Sequence, residues 1–236
     1  MTTPFDIQDL GRLRYGDAYE RQLAAHAEVL ADRDRQPRPL RAGIVLTVEH
    51  DPVITVSRRA AAASHVLATP ELLARHRVEL AETDRGGDVT YHGPGQLVVY
   101  PILDLTLLNL GLHDYMRLLE QSVIDTCVTF GITAQRDPAA TGVWVRDASG
   151  QLAKVAAFGV RVRRWVSMHG LSINITTNMD HFGLIVPCGL AGRPVTSLKQ
   201  LLGDRCPSWP QVQQELLEHL SHLVQEQWAA ADARRR

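Results

Sequence analysis

Two side chains in this sequence have the type and setting of catalytic groups, Lys154 and Cys188. Lys154 and Lys199 are the only lysines among 25 basic residues. A desolvated lysine can lose its proton near neutral pH, whereas a guanidinium group cannot. Lys154 lies in the apolar run Leu152-Ala-Lys-Val-Ala-Ala-Phe158, so it is either a desolvated base or a charge on the solvent face of an edge strand. Lys199 has the pattern of an exposed position on a short helix.

The three cysteines differ in their surroundings along the chain. Cys188 lies in Val186-Pro-Cys-Gly-Leu190, where a proline restricts the backbone and a glycine frees it, as is typical of a nucleophile presented at a bend. Cys127 falls on the apolar stripe of a predicted helix, and Cys206 has neither a base nor a glycine loop nearby in the sequence. Because structural cysteines far outnumber catalytic ones, this pattern alone makes Cys188 a candidate and no more.

A glycine-rich segment between Arg85 and Gln96 is the third feature with a chemical meaning. It reads Arg-Gly-Gly-Asp-Val-Thr-Tyr-His-Gly-Pro-Gly-Gln, between two apolar runs. Glycine loses more conformational freedom on folding than any other residue, so such a cluster indicates that the backbone approaches something closely, which we interpret as a ligand. The apolar run Leu97-Val-Val-Tyr-Pro-Ile-Leu103 would hold this loop against a core.

The elements that must carry these residues alternate between helix and strand. The patterns predict helices over residues 18–34, 70–76, 113–130 and 209–230. They predict strands over residues 43–48, 52–56, 77–81, 97–103, 142–145, 152–158, 159–166 and 170–175. Because no repeat or long linker interrupts the chain, we expect one α/β (α+β) domain over residues 1–236, with a tail that frays from about residue 230.

Composition narrows the functional class. A formal net charge of −1 gives no basic field for nucleic acid, and no apolar run approaches the length of a membrane helix. An odd number of cysteines argues against a secreted disulfide scaffold, so we expect a cytoplasmic protein. The ten histidines show no metal-ligand spacing, and we interpret four of them as solvated helix residues. These four are His65, His76, His219 and His222.

Taken together, the motifs resemble the lipoyl(octanoyl) transferase family. The resemblance rests on the Arg85 to Gln96 segment with Tyr100-Pro-Ile102, Lys154-Val-Ala-Ala-Phe-Gly-Val160, His169-Gly-Leu-Ser-Ile-Asn174 and Pro187-Cys-Gly189, in the family's order. The separation of Lys154 from Cys188, 34 positions, is that of the family's catalytic pair.

The resemblance implies a mixed sheet packed by helices, as in the catalytic domains of lipoate and biotin protein ligases. It implies transfer of an octanoyl group from acyl carrier protein to a lipoyl-domain lysine, through a Cys188 thioester with Lys154 as the second member of the catalytic pair. The acceptors would be the lipoyl domains of 2-oxoacid dehydrogenase E2 subunits and the glycine cleavage H protein. No cofactor is implied, since the donor carries its own phosphopantetheine. The implied substrate-binding residues are Arg85, Gly86, Gly87, Asp88, Val89, Thr90, Tyr91, His92, Ala157, Phe158, Gly159, Gly170, Leu171 and Ser172.

Some assignments stay open on the sequence alone. His92 could orient the reacting groups or stabilise the loop, while His169 and Asn174 could tie strand ends together by side-chain hydrogen bonds. Ser57 and Ser172 replace residues that are usually glycine and alanine in the family, which could alter the acyl pocket. Five arginines are either contacts for acidic partners or an ordinary solvated face. These are Arg58, Arg59, Arg161, Arg163 and Arg164.

Three other functions compete with acyl transfer. An ATP-dependent lipoate ligase would share the scaffold but would need no cysteine nucleophile. A thiol hydrolase would use Cys188 but would have to admit water to the acyl-enzyme. A binding module without turnover would tolerate loss of Lys154 or Cys188, and both residues are present.

Overall fold

Ten strands and five α-helices form the part of the chain that the computed structural model describes, residues 4–36, 41–147, 149–186 and 193–235. The strands are β1 (Asp6–Leu13), β2 (Gly43–His50), β3 (Val53–Ser57), β4 (Glu79–Thr83), β5 (Val89–His92), β6 (Gln96–Leu103), β7 (Ala134–Asp137), β8 (Ala140–Arg146), β9 (Leu152–Arg163) and β10 (Val166–Asn174). The helices are α1 (Tyr15–Asp32), α2 (Pro70–His76), α3 (Leu112–Thr129), α4 (Leu198–Leu202) and α5 (Trp209–Ala233).

Two mixed sheets organise these elements. The larger has seven strands in the order β1-β2-β6-β10-β9-β8-β7, in which β1 and β2 are parallel and all other neighbours are antiparallel. The smaller has the order β4-β3-β5, with β3 parallel to β4 and antiparallel to β5. β6 and β10 are buried along their whole length because helices cover both faces of the sheet at its centre.

The side-chain period of the strands divides the core into layers. Val45, Leu97 and Val99 face α3 and α5, while Ile44 and Val98 face α1 on the opposite side. The helices that pack on the sheet carry apolar residues at a spacing of about one turn on the face toward it. The buried stripe of α5 consists of Val212, Leu216, Leu220 and Val224.

Most predicted elements are present, and the differences have local causes. The predicted N-cap and first-turn proline of α2 are confirmed, since Thr69 Oγ1 accepts a hydrogen bond from the Leu72 N–H at 3.3 Å. β1, β5 and β7 were not predicted; β5 lies inside the segment read as a loop. β9 and β10 meet at Arg164 and Trp165, which adopt φ of +53° and +62° without any glycine to mark the turn.

The C-terminal helix is longer than predicted. α5 continues to Ala233, beyond the expected end near residue 230. The Arg235 guanidinium donates to the carbonyl oxygen of Leu107 at 2.6 Å, so the chain stays in contact with the domain after the helix ends. In the described ranges no helix has the length and apolar character needed to cross a membrane.

Candidate active site

A cavity lies between the small sheet, the centre of the large sheet and the start of α1. It is lined by every predicted substrate-binding residue except Gly86 and Tyr91, together with Tyr15, Val98, Tyr100 and His169. Residues that are distant in the sequence meet here because β6, β9 and β10 are neighbours in the large sheet while β5 belongs to the small one. The structure therefore brings the two halves of the predicted binding site together.

Close backbone contact explains part of the glycine-rich segment. The Gly86 N–H donates to the Val160 carbonyl at 2.9 Å, which joins the loop to β9. A Cβ placed on Gly159 would lie 2.8 Å from the Gly86 carbonyl oxygen, closer than real Cβ atoms approach. At this position the glycines serve chain-to-chain packing, whereas the sequence pattern was interpreted as approach to a ligand.

Side chains fix the rest of the loop. The Arg85 guanidinium donates to Thr55 Oγ1 at 2.9 Å and to the Thr55 carbonyl at 3.1 Å. Ser57 Oγ donates to the Gly87 carbonyl at 3.1 Å, a contact that glycine at position 57 could not make. His65 Nδ1 lies 2.6 Å from Asp88 Oδ2, so the interpretation of His65 as a simply solvated helix residue is wrong. A compact loop results whose shape depends on neighbouring elements.

His92 is a buried, neutral member of a hydrogen-bond chain. Gln96 Nε2 donates to the Tyr91 carbonyl and to Asn174 Oδ1, which leaves Gln96 Oε1 to accept from His92 Nδ1 at 2.6 Å. Burial, with a smaller effect from His50, lowers the pKa of His92 to about 3. Asn174 Nδ2 donates to the Thr196 carbonyl at 3.0 Å, so the predicted tie from the end of β10 is confirmed.

A second buried histidine adjoins this chain. Burial lowers the pKa of His50 to about 4, so its ring is neutral near pH 7. Its Nδ1 lies 3.1 Å from the Leu13 carbonyl and must donate, which leaves Nε2 to accept from the Tyr100 hydroxyl at 2.7 Å. The His50 and His92 ring centroids are 5.7 Å apart. We call the following side chains the neutral network: His50, His92, Gln96, Tyr100 and Asn174.

His169 also ties elements together, as the sequence suggested it could. Its Nε2 lies 2.8 Å from Asp84 Oδ1, and its backbone N–H donates to Gln22 Oε1 at 2.9 Å. Arg161 forms an ion pair with the same aspartate, so this arginine is engaged within the fold, while Arg58, Arg59, Arg163 and Arg164 are exposed. Tyr91 faces away from the cavity, where its hydroxyl lies 2.7 Å from His181 Nδ1.

Lys154 is buried inside the large sheet. It is only 5% exposed, and its strand β9 has β10 on one side and β8 on the other. The alternative of a charge on an edge strand is therefore wrong. Its side chain passes Gly142, where φ is +146° and a Cβ would lie 2.8 Å from Lys154 Cε. Its Nζ lies 4.9 Å from the centroid of the Trp144 ring.

The lysine opens onto a cleft beside the cavity. Leu112 and Met116 from the start of α3 line this cleft together with Arg59, Lys154 and Val160. Gly86 also lines it, while four residues are shared with the cavity: Gly87, Asp88, Phe158 and Gly159. The cavity and the lysine cleft are thus two chambers that meet along one wall.

Cys188 lies outside the described residues, which end at Val186 before it and resume at Arg193 after it. Before it, the Val186 N–H donates to the His65 carbonyl at 2.8 Å. After it, the Lys154 N–H donates to the Pro194 carbonyl at 2.9 Å, and the Thr196 N–H donates to the Lys154 carbonyl at 2.9 Å. The chain that follows Cys188 is therefore hydrogen bonded directly to the lysine strand.

Known proteins resemble this chain over most of its length. A family model described as the lipoyl protein ligase A/B catalytic domain matches residues 18–221. An octanoyltransferase of Christiangramia forsetii is 36% identical over 95% of this chain and 97% of its own. An octanoyltransferase of Koribacter versatilis is 46% identical over 84% of this chain and 75% of its own. This chain belongs to the lipoyl protein ligase A/B catalytic-domain family. The predicted resemblance to the lipoyl(octanoyl) transferase family is confirmed, and so is the predicted activity of an octanoyl-transferring acyltransferase.

Solved structures of other proteins share the fold of this chain. A bipartite lipoate protein ligase from Thermoplasma acidophilum aligns over 95% of this chain and 85% of its own, with a TM-score of 0.67 and 15% identity. A biotin protein ligase from Aquifex aeolicus, in complex with biotin and ATP, aligns over 94% of this chain and 71% of its own, with a TM-score of 0.54 and 13% identity. At these identities the likeness is one of fold alone, and the predicted fold class is confirmed.

The two described cysteines and the histidines offer no competing site. Cys127 is buried on α3, where burial raises its pKa to about 12, and burial also raises the pKa of Cys206. Both thiols are free and have the raised pKa of unreactive groups. Within residues 4–36, 41–147, 149–186 and 193–235, no group of three or more His, Cys, Asp or Glu side chains is arranged around a metal position.

Several side chains that lie near the site were not predicted from the sequence. Tyr15, His50 and Trp144 reach it from α1, β2 and β8, and Arg193 reaches Trp144 from beyond the Cys188 segment. Tyr100 stood in a family motif, and its position between two apolar residues was the available signal. The others carry no local pattern, since only the tertiary fold brings them to the site.

Proposed function

We propose that this protein transfers an octanoyl group from acyl carrier protein to a lysine of a lipoyl domain, through a Cys188 thioester with Lys154 as acid and base. The observation that carries the proposal is the placement of a buried lysine in a cleft that shares a wall with the predicted acyl cavity. Burial of an amine costs free energy, and a role for Lys154 in moving a proton gives a reason for its placement beside the cavity.

The cavity has the chemistry of an acyl slot. Val89, Val98, Ala157, Phe158 and Leu171 supply apolar walls, while glycines keep the backbone close. A thioester carbonyl seated at the shared wall would extend its acyl chain into the cavity and its sulfur substituent into the lysine cleft. The same cleft could then receive the carrier's arm and, after its departure, the acceptor lysine.

The first half-reaction loads the enzyme. Lys154, acting as the base, takes the proton of the Cys188 thiol, and the thiolate attacks the carbonyl carbon of the octanoyl thioester. The bond from that carbon to the carrier's sulfur breaks, and the departing thiolate takes the proton from the Lys154 ammonium. An octanoyl-Cys188 thioester and a free carrier thiol result, and Lys154 has returned the proton that it took.

The second half-reaction delivers the acyl group. The neutral amine of the acceptor lysine attacks the octanoyl-Cys188 carbonyl and gives a proton to Lys154. The carbon–sulfur bond to Cys188 breaks, and the cysteine thiolate recovers that proton. The product is an amide, and the thioester supplies the driving force, so the reaction as proposed needs neither ATP nor another cofactor.

The partners follow from this chemistry. The donor is octanoyl-acyl carrier protein with its own phosphopantetheine, and the acceptors are lipoyl domains of 2-oxoacid dehydrogenase E2 subunits and the glycine cleavage H protein. We also propose a cytoplasmic location, which free thiols at Cys127 and Cys206 favour.

A turnover assay tests the proposal. The protein is mixed with octanoyl-acyl carrier protein and an apo lipoyl domain without ATP, and the mass of the lipoyl domain is followed. We expect octanoylation by the wild type and by Lys199→Ala, the matched control at the other lysine, and its loss in Lys154→Ala and Cys188→Ser. Product that requires ATP and free octanoate would contradict the thioester route and assign the protein to the ligases.

A further inference from the structure

Trp144 faces Lys154 across two neighbouring strands. The two residues are register partners on β8 and β9, so their side chains lie on the same face of the sheet. The indole is 1% exposed, and its Nε1–H donates to the Ala140 carbonyl at 3.0 Å. The lysine amine therefore lies within cation–π distance of a ring that is itself held in place.

Arg193 stacks on the same ring. Its Cζ lies 3.8 Å from the Trp144 centroid, and its guanidinium forms an ion pair with Asp137 at the end of β7. This hydrogen bond holds the pKa of the Asp137 carboxyl below its ordinary value, and Lys154 acts in the same direction. We call the following side chains the lysine cluster: Trp144, Lys154, Arg193 and Asp137.

Arg193 is tied to the lysine strand by its backbone neighbours as well. The Pro194 carbonyl and the Thr196 N–H form hydrogen bonds with the backbone of Lys154. Val195 is the parallel bridge partner of Lys154. Because the stacked side chain and this short bridge anchor the same run of residues, movement of Arg193 would disturb both the ring and the strand. Arg193 also follows Cys188 by five positions in the sequence.

We propose that Arg193 is a positioning residue for Lys154, which holds the Trp144 ring by stacking against it while Asp137 holds the guanidinium. The catalytic part of this inference rests on the proposed function, whereas the packing of Lys154 and Arg193 against Trp144 is observed independently of it. A planar guanidinium can stack and pair with a carboxylate at once, and an ammonium group cannot. Arg193 thereby sets the position of the amine that moves the proton.

The two lysines of this chain allow a direct spectroscopic test. Labelling with lysine carrying ¹³C at the ε carbon gives two lysine signals, and Lys199→Arg identifies them. We expect the Lys154 ε-methylene protons to be shifted upfield by the indole. In Arg193→Ala they should move toward the position of the exposed Lys199, whose own signal stays fixed. Arg205→Ala, the matched change at an exposed arginine, should move neither signal.

Kinetics provide the second arm. Arg193→Ala should lower kcat by about ten- to a hundredfold while KM for the donor changes by less than about twofold, because a displaced catalytic group costs rate more than binding. Arg193→Lys should recover little of this loss. If Arg193→Ala fails to fold, Asp137→Asn should shift the Lys154 signal in the same direction.

Two results would overturn the inference. The first is a Lys154 signal that stays at its wild-type position in Arg193→Ala, or in Asp137→Asn where that variant replaces it. The second is an unchanged kcat in the folded variant. Absence of octanoyl transfer by the wild type would instead contradict the proposed function, and the spectroscopic arm would still decide on Arg193.

Discussion

The neutral network and the lysine cluster hold adjoining parts of the site in opposite ways. In the neutral network, burial keeps His50 and His92 uncharged, and each ring nitrogen with a defined partner has one fixed role. In the lysine cluster, Lys154 and Arg193 lie over one indole ring, and Asp137 pairs with the Arg193 guanidinium. The difference indicates that the cavity is shaped by histidines that stay neutral near pH 7, while the proposed proton transfer rests on Lys154 alone.

Removal of the amine should give the largest effect. Lys154→Met keeps an aliphatic chain against Trp144 but cannot move a proton, so we expect kcat/KM to fall by about 10²- to 10⁴-fold. The variant should still fold, because an unbranched apolar side chain of similar length takes the place of the lysine side chain. Activity and urea unfolding are measured together, with Lys199→Met as control. Wild-type activity in Lys154→Met would show that the Lys154 amine does not move the proton.

Low pH should reduce the free energy of unfolding through the two histidines of the neutral network. Because its histidines have folded-state pKa values of about 4 for His50 and about 3 for His92, the unfolded chain binds more protons below pH 6.5. Their contribution to stability is complete above that pH and is lost as pH falls toward the folded-state values, by about 1.4 kcal/mol per pH unit for each histidine.

Urea unfolding between pH 7 and pH 4.5, a range chosen around the ordinary histidine pKa of about 6.5, checks this slope. His92→Asn should remove about one histidine's share of the slope, whereas His113→Asn should not, since the His113 side chain is 78% exposed. Equal slopes in wild type and His92→Asn would show that His92 is not held neutral.

Filling the cavity should change substrate length more than chemistry. Ala157→Leu adds a branched side chain to a wall of the cavity that we propose binds the acyl chain, and we expect kcat/KM for the octanoyl donor to fall by about 10- to 200-fold. A butanoyl donor should lose much less, which makes chain length an internal control. Equal losses for both donors would place the acyl chain elsewhere.

The smallest effect is expected at the rim of the lysine cleft. Arg59 lines the cleft and Arg58 does not, although both are exposed. Arg59→Ala should raise KM for the acidic carrier by about two- to fivefold at low salt, and the difference should shrink as salt screens it. Arg58→Ala is the matched control. A larger effect at Arg58 would move the docking surface away from the cleft.

Local patterns in the sequence predicted much of this structure. The cap and proline of α2, the apolar stripes of α3 and α5, and the strand that carries Lys154 were all readable from spacing. The cavity was predicted through family motifs. The turn at Arg164 was missed because no residue there marks a left-handed backbone.

The surroundings of Lys154 could not be predicted from local sequence patterns. Its apolar neighbours fitted both a buried strand and an edge strand, and strand order decides between them only after the sheet is assembled. Trp144 and Arg193 lie on separate segments with no shared pattern, so their meeting over the lysine is a property of the tertiary fold. The pairing of His65 with Asp88 has the same origin.

The proposed reaction passes through an octanoyl thioester on Cys188, and the mass of the intact protein measures this intermediate directly. The protein is incubated with octanoyl-acyl carrier protein alone, without ATP or a lipoyl domain. We expect one octanoyl adduct on the wild type that hydroxylamine removes, no adduct on Cys188→Ser, and slow formation on Lys154→Met. An adduct that persists in Cys188→Ser, or octanoyl transfer to a lipoyl domain without any adduct, would contradict the proposed reaction.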